Sequence, residues 1–564
     1  MTSRRAVCLH WLFLIWGVVL ILRLGYWQIY RGPGLKLAAA AQQSTSVIIP
    51  ASRGQIQFSD GFPMVDNTDN YLLYSEPKKL PADLTGLLKI LDPLPSSASA
   101  KANLSSAGAR SELLWVSISD RVTPQVKAAI EAVKTTGLGF ELAPIRAYPE
   151  GTPSAYISGF VGQDDAGASV GYFGLEGYYD RLLSGTPGRL VEDHDAFGLP
   201  IVIGGSYRIP PKNGTSLLTS IDRTVQYIAY QHLVHSLQKY QSPSGTVTIL
   251  ESQTGRVLAM VSIPGYDPGL YSQFDAALYK NPIVSDSYEP GSTFKTVVMA
   301  SALDTGAVDP DMVCDICSGP AVIGDSTVRG WNDKYYPQST MSDVILHSDN
   351  VGMVFVSRRL GKTKMLEYLH KFGIGNRTGI DLQEEDVTPL RPDNQWHDID
   401  WATAAFGQGI AVTPLQMTAA VNVLANKGLY LPPRIVTHTV SQDKVQPVAG
   451  PAPKKVISYT AAAAITQMMV NGVTNGEVRY YRPAGYVIAG KTGTAQVPIA
   501  GHYDPDKVVA SFVGFAPAYD PKFTMLVTLR DPKPSPWGST TAAPTWFGIA
   551  SELFRYYRIP PVVN

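Results

Sequence analysis

The chain has 564 residues, enough for two or three domains that each bury a core. Lys plus Arg and Asp plus Glu balance at 47 each, so the totals give no basic footprint and nucleic-acid binding is not indicated. No zinc-ligand or phosphate-loop spacing occurs, so neither a metal nor another cofactor is expected.

From Ala6 to Leu22 only His10 is strongly polar; Arg4 and Arg5 precede the run, and Tyr26, Trp27 and Tyr30 follow it. This pattern predicts a cytoplasmic tail over 1–5, one membrane helix over 6–28, and the remainder outside the cytoplasm. A cleaved signal peptide is the rival reading, but the small residues Ala38 to Ala41 lie too far past the apolar run. His10 reads as a tolerated helix-interface residue near the membrane edge.

Residues 45–215 are rich in Gly, Pro and short β-prone runs and are expected to form an elongated, strand-rich pedestal without a catalytic constellation. Within it, the Ser/Ala-rich run Ser96 to Ala109 reads as a flexible loop. Asp193, His194 and Asp195 are adjacent, but consecutive strand residues face opposite sides, so a surface loop is expected there and not a metal site.

The pattern changes at residue 216, and 216–564 is read as one domain. Ile221 to Leu237 is an apolar-periodic helix, and Gly245 to Leu250 pairs with Arg256 to Ser262 across a Thr254-Gly255 turn. Val508 to Phe515 and Thr524 to Leu529 are two late strands. Strands early and late with helices between them predict an α+β fold, an antiparallel sheet with a helical insertion. Ser441 to Lys455, with three prolines, reads as a linker-like excursion. Cys314-Asp-Ile-Cys317 lacks the second pair a zinc site needs; a local disulfide or two structural thiols remain.

Chemistry concentrates in three short motifs. In Tyr288-Glu-Pro-Gly-Ser-Thr-Phe-Lys295, Pro290 and Gly291 turn the chain into an apolar run closed by Gly306. Ser292 and Lys295, three residues apart, then share one helix face at an N-terminus that favours negative charge. A lysine there takes the serine proton if burial or another cation lowers its pKa. Ser348-Asp349-Asn350 follows 56 residues after Ser292, and Lys491-Thr492-Gly493-Thr494 follows 143 residues after Ser348. Such spacing requires three separate elements to converge. Ser348 offers a hydroxyl for proton relay, and Asn350 an amide that grips a peptide backbone. Lys491, Thr492 and Thr494 supply a cation and two hydroxyls for a carboxylate, Gly493 permits close approach to a β-strand, and backbone N–H groups near Ser292 and on that strand suit an oxyanion hole.

In this order the trio resembles that of the class B penicillin-binding proteins, peptidoglycan D,D-transpeptidases. The resemblance extends to Phe372-Gly-Ile-Gly375, Thr378-Gly-Ile-Asp-Leu382, Gly407-Gln408-Gly409, Thr413-Pro414-Leu415-Gln416 and Ser511-Phe-Val-Gly-Phe-Ala-Pro517. Upstream it includes Arg53-Gly54-Gln55-Ile56, Arg146-Ala-Tyr-Pro149, Gly174-Leu-Glu-Gly177 and Leu218-Thr-Ser-Ile-Asp222 with Gln226; Gln57-Phe-Ser-Asp-Gly61 departs from the family's usual run. The residues around Glu289 and Asp349 look more like the division or sporulation type than the elongation type.

The resemblance implies an anchored, extracytoplasmic serine acyltransferase of the inner membrane. Its substrates would be D-Ala-D-Ala-terminated stem peptides, its inhibitors β-lactams, and its partner a polytopic glycan polymerase of the shape-elongation-division-sporulation family. Catalytic roles fall on Ser292, Lys295, Ser348, Asn350 and Lys491, and substrate binding on Thr492, Gly493 and Thr494. A D,D-carboxypeptidase or β-lactamase would use the same groups with water as acceptor; a non-catalytic wall-complex scaffold would not need them all.

Overall fold

A computed structural model describes residues 4–36, 44–81, 83–94, 97–107, 115–193, 206–442, 444–499 and 502–562. The chain divides into two compact units, Met1–Arg53 with Ser184–Gly214, and Gly54–Leu183 with Thr215–Asn564.

The first unit opens with a 22-residue helix, Arg4–Gly25, continued by a π-helical turn, Tyr26–Tyr30. None of the helix is buried, and large apolar side chains such as Trp11, Phe13, Ile15 and Ile21 are all exposed. At 1.5 Å per residue it runs about 33 Å, long and apolar enough to cross a bilayer core. The same unit holds an antiparallel sheet of Ser44–Ile49, Gly188–Asp193 and Ser206–Ile209. Asp193 ends the middle strand; Ala38 to Ala41, His194 and Asp195 lie outside the described residues.

In the second unit, strand Tyr71–Ser75 pairs on both sides, with Val116–Val122 and Leu138–Leu142. Three helices accompany this sheet: Thr85–Ile90, Ser97–Ala107 and Pro124–Ala132. The middle one corrects the sequence reading of Ser96 to Ala109 as a flexible loop. Ala100, Leu104 and Ala107 recur at helical spacing and are buried with Leu87, Leu91 and Ile118. Small side chains made the stretch look like low-complexity sequence, yet alanine is the best helix former and lets the helix lie close to the sheet.

A six-stranded sheet draws on distant parts of the sequence. Its order is Lys444–Pro447, Val436–Ser441, Ser216–Thr219, Ile56–Gln57, Pro63–Thr68, Ile145–Ala147. Ser441 to Lys455 is therefore no free linker, since Lys444–Pro447 folds back as a hairpin on Val436–Ser441. Beside this sheet, three stretches of the upstream resemblance meet at one side chain. Arg146 donates to Glu176 Oε1 at 2.8 Å, to Asn67 Oδ1 at 2.9 Å and to the Gly54 carbonyl at 2.7 Å. Farther along the chain, Asp381 accepts the backbone N–H groups of Ile435 and Val436 at 2.7 Å each, pinning the Val436–Ser441 strand.

The expected antiparallel sheet has five strands, ordered Val257–Ile263, Ser244–Glu251, Phe523–Arg530, His502–Ala516, Ala489–Ile499. Strands from both ends of the domain close it. One face carries helices Arg223–Tyr240 and Ala542–Tyr556, through Val225, Leu233, Trp546 and Phe547. Asp222 caps the first of these by accepting from the N–H groups of Thr224 and Val225. The helical insertion makes a second core around Lys295–Asp304, Pro414–Ala425 and Tyr459–Asn475. Val297, Val298, Met299, Ala300 and Ala302 of Lys295–Asp304 are all buried, so this helix is a rigid platform for the residues at its start.

Candidate active site

Ser292 sits in a 3₁₀ turn, Gly291–Phe294, that runs directly into the helix Lys295–Asp304. It lines a cleft of about 560 Å³ together with Ser348, Lys491, Thr492 and Thr494. The turn is held from within by Thr293, whose hydroxyl donates to the Pro290 carbonyl at 2.7 Å. From outside it is backed by Gly407, which accepts from the Gly291 N–H at 3.0 Å. Gly407 has a φ of 81°, and a Cβ there would lie 2.2 Å from the Gly291 carbonyl oxygen, so only glycine permits this backing. The adjacent Glu289 accepts from the Gly409 N–H at 3.0 Å and the Tyr503 hydroxyl at 3.1 Å.

Lys295 is fully buried one residue past the turn. Its Nζ donates to the Ser348 carbonyl at 2.5 Å, to Asn350 Oδ1 at 2.7 Å and to Ser348 Oγ at 3.2 Å. All three of its hydrogens are thus directed at the second motif, and Ser292 makes no hydrogen bond to it. Burial holds its pKa well below the usual lysine value, the Lys491 charge lowers it further, and Asp349 opposes the shift. Ser348 occupies the joint between helices Met341–Leu346 and Asn350–Leu360, where Asp349 caps the second helix by accepting from the Val351 N–H. Its φ of 55° is a left-handed conformation that a non-glycine residue adopts at a cost, and such outliers gather at functional sites.

The third motif lies on the edge strand Ala489–Ile499. Lys491 Nζ donates to Ser348 Oγ at 3.0 Å and to Thr492 Oγ1 at 3.3 Å. Ser348 Oγ therefore accepts from two lysines, and its own hydrogen is free to point elsewhere. Burial brings Lys491 down to about 8, against an opposing pull from Glu477. A Cβ on Gly493 would meet Ser511 Oγ at 2.5 Å and Thr293 Cγ2 at 2.9 Å, so its bare backbone makes room for the turn bearing Ser292. Thr494 Oγ1 accepts from the Gly538 N–H at 3.0 Å, which leaves its hydroxyl hydrogen available to a ligand.

All eight residues singled out in the sequence converge on this region. The sequence reading missed the aromatic groups at its mouth. Trp331 and Trp537 meet edge to face, ring centroids 5.1 Å apart, and both line the cleft. Tyr336 stacks on His347 at 4.1 Å, immediately before Ser348. Only the Trp-Gly pair after a proline-studded run, Asp531 to Gly538, gave a local signal of a built loop. Cys314 and Cys317 form a disulfide in the insertion. Among the described residues no cluster of three His, Cys, Asp or Glu side chains could hold a metal.

A serine at a helix start, a desolvated lysine under it and a lysine–threonine strand across the cleft define a serine acyltransferase of the penicillin-interacting class. Residues 245–554 match the model of the penicillin binding protein transpeptidase domain, and 48–219 match the penicillin-binding protein dimerisation domain. The chain belongs to the class B penicillin-binding proteins, and it is similar to a member named for sporulation and to one named a peptidoglycan D,D-transpeptidase.

Stage V sporulation protein D of Bacillus subtilis is 32% identical, covering 98% of this chain and 86% of the relative. Penicillin-binding protein PbpB of Mycolicibacterium smegmatis is 31% identical over 96% and 89%. Peptidoglycan D,D-transpeptidase FtsI of Escherichia coli is 28% identical over 91% and 85%. Among solved structures, penicillin binding protein 3 of Mycobacterium tuberculosis, complexed with aztreonam, superposes with a TM-score of 0.71 at 25% identity, covering 92% of this chain and 98% of that one.

Proposed function

We propose that this chain is a peptidoglycan D,D-transpeptidase that works through an acyl-enzyme on Ser292. The observation that carries the reading is the single hydrogen-bond network of Lys295, Ser348, Asn350 and Lys491 in the cleft that Ser292 lines. In its neutral form Lys295 takes the Ser292 proton as Oγ attacks the penultimate D-Ala carbonyl of a stem peptide. Backbone N–H groups at the Ser292 turn and on the Lys491 strand receive the developing oxyanion. The Ser348 hydroxyl passes the proton to the departing D-Ala amine, whose terminal carboxylate is held by Lys491, Thr492 and Thr494. An amine from a neighbouring stem then attacks the ester and releases Ser292. β-Lactams enter by the same route and remain as the acyl-enzyme.

Transfer is favoured over the hydrolase readings because the Escherichia coli relative is named a peptidoglycan D,D-transpeptidase. The test is covalent labelling with a fluorescent penicillin. Ser292→Ala is expected to abolish labelling while the thermal midpoint stays near that of the wild type. A labelled peptide that maps to any other serine overturns the assignment.

The apolar helix anchors the chain in the cytoplasmic membrane, with Arg4 and Arg5 inside and the catalytic domain outside. A glycan-polymerising partner of the shape-elongation-division-sporulation type supplies the strands to be cross-linked, through contacts on the anchor around Leu12 to Leu22, where Gly17 allows close helix approach. Depletion is expected to give filaments or a sporulation defect; rounded cells would overturn that subtype.

A further inference from the structure

The acyl-enzyme of the proposed function has two acceptors available, water and an amine, and the amine must win. Two tryptophans at the mouth of the cleft are placed to decide that contest. The loop bearing Trp331 is tied at two points to the segment that carries the second motif. The Trp331 indole N–H donates to the His347 carbonyl at 3.3 Å, and the Arg329 carbonyl two residues earlier accepts from Asn350 Nδ2 at 3.3 Å. Trp537 is pinned to the third motif, because the N–H of the next residue, Gly538, donates to Thr494 Oγ1. A Cβ on Gly538 would lie 2.3 Å from the Gly493 carbonyl oxygen, so this loop rests directly on the strand. Pro532, Pro534 and Pro536 stiffen the approach to it.

The ring contact therefore joins the wall bearing Ser348 to the wall bearing Thr494. It lies over the cleft beside Thr494, which the proposed function assigns to the terminal carboxylate of the donor. The two side chains are 41% and 42% exposed, so one side of the pair faces solvent and the other the cleft. By microscopic reversibility the acceptor amine occupies the place vacated by the leaving D-Ala amine. The Trp331 indole N–H is already bonded to the His347 carbonyl, so over that place this side chain presents a water arriving alone with a ring and not a donor. An amine that carries a flat or aliphatic backbone gains contact with the rings.

We infer that Trp331 and Trp537 form an acceptor-selecting roof, which excludes water from the Ser292 ester and presents it to the amine of an incoming peptide. In the selected step the ester bond from the acyl carbon to Ser292 Oγ breaks and an amide bond to the acceptor nitrogen forms. The amine proton returns to Ser292 Oγ. In the excluded step water replaces the amine and a free carboxylic acid leaves. The inference rests on the acyl-enzyme reading above.

The experiment uses the full chain in detergent with an acyl-D-alanyl thioester donor and D-alanine as acceptor, the transfer and hydrolysis products being separated by mass. The ratio of transfer to hydrolysis is expected to fall by about tenfold in Trp331→Ala and in Trp537→Ala, the size of one lost aromatic contact at the transition state. Trp537→Phe is expected to keep most of the ratio. A general loss of folded enzyme scales both products together and leaves the ratio unmoved, so a structural role alone does not mimic the result. If the alanine variants do not fold, Trp331→Leu and Trp537→Leu keep an apolar side chain without the ring and are expected to lower the ratio in the same direction. Unchanged ratios alongside a wild type that transfers overturn the roof alone. A wild type that yields no transfer product overturns the proposed function and this inference together.

Discussion

Among the described residues, Arg146 and the two cleft lysines are buried cations that the protein treats in opposite ways. In the frame upstream of the catalytic sheet, the Arg146 side chain is 6% exposed and its ion-pair partner Glu176 is 0% exposed. The guanidinium also reaches an amide oxygen and a backbone carbonyl, so charge and hydrogen bonds are both satisfied. In the cleft, Lys295 and Lys491 are buried as deeply, share Ser348 Oγ, and have only neutral oxygens for hydrogen-bond partners. A buried charge that is paired holds a fold in register, whereas one that is hydrogen-bonded but not neutralised gives up its proton readily. The first arrangement makes a joint, and the second stores reactivity.

Matched substitutions break the comparison most sharply. Lys295→Met is expected to lower the rate of acylation by a fluorescent penicillin by roughly 10²–10⁴-fold, the usual contribution of a positioned base. Its effect on the unfolding midpoint is expected to be small, since relief of a desolvated charge offsets the loss of three hydrogen bonds. Arg146→Met is expected to do the reverse. It removes the buried contacts of Arg146 with Glu176, Asn67 and the Gly54 carbonyl and is expected to lower stability by roughly 3–5 kcal/mol in urea unfolding. Acylation per folded molecule should stay within a few-fold of the wild type. If Arg146→Met instead abolishes acylation with stability intact, the frame takes part in catalysis and the contrast fails.

Legibility in the sequence follows the same divide. Ser292, Lys295, Ser348, Asn350 and Lys491 could be read because each motif is local: a turn before a buried helix, a capped joint, a β-prone edge strand. Arg146 and Glu176 were visible only as resemblance, since nothing within either motif says that one side chain will gather Gly54, Asn67 and Glu176 around it. The Trp331–Trp537 contact left no periodic signature at all; it exists because two loops are tied to Asn350, His347 and Thr494 in space. The helix Ser97–Ala107 was hidden for a different reason. Its burial pattern rests on two alanines and a leucine, too small a hydrophobic signal to outweigh five serines in the run from Ser96 to Ala109.

The smallest expected effect separates the two lysines from each other. In its proposed role as base Lys295 must be neutral, so acylation should rise with pH through its lowered pKa. In its proposed role Lys491 must be charged to hold a carboxylate, and burial brings it to about 8, so acylation should fall again above that pH. The product is a bell-shaped profile whose two limbs belong to different residues. A guanidinium does not titrate in this range, so Lys491→Arg, even with poorer geometry, should carry the alkaline limb upward while leaving the acid limb in place. An alkaline limb that stays put in Lys491→Arg would assign it to another group, and the coupled network through Ser348 is where that group would have to be sought.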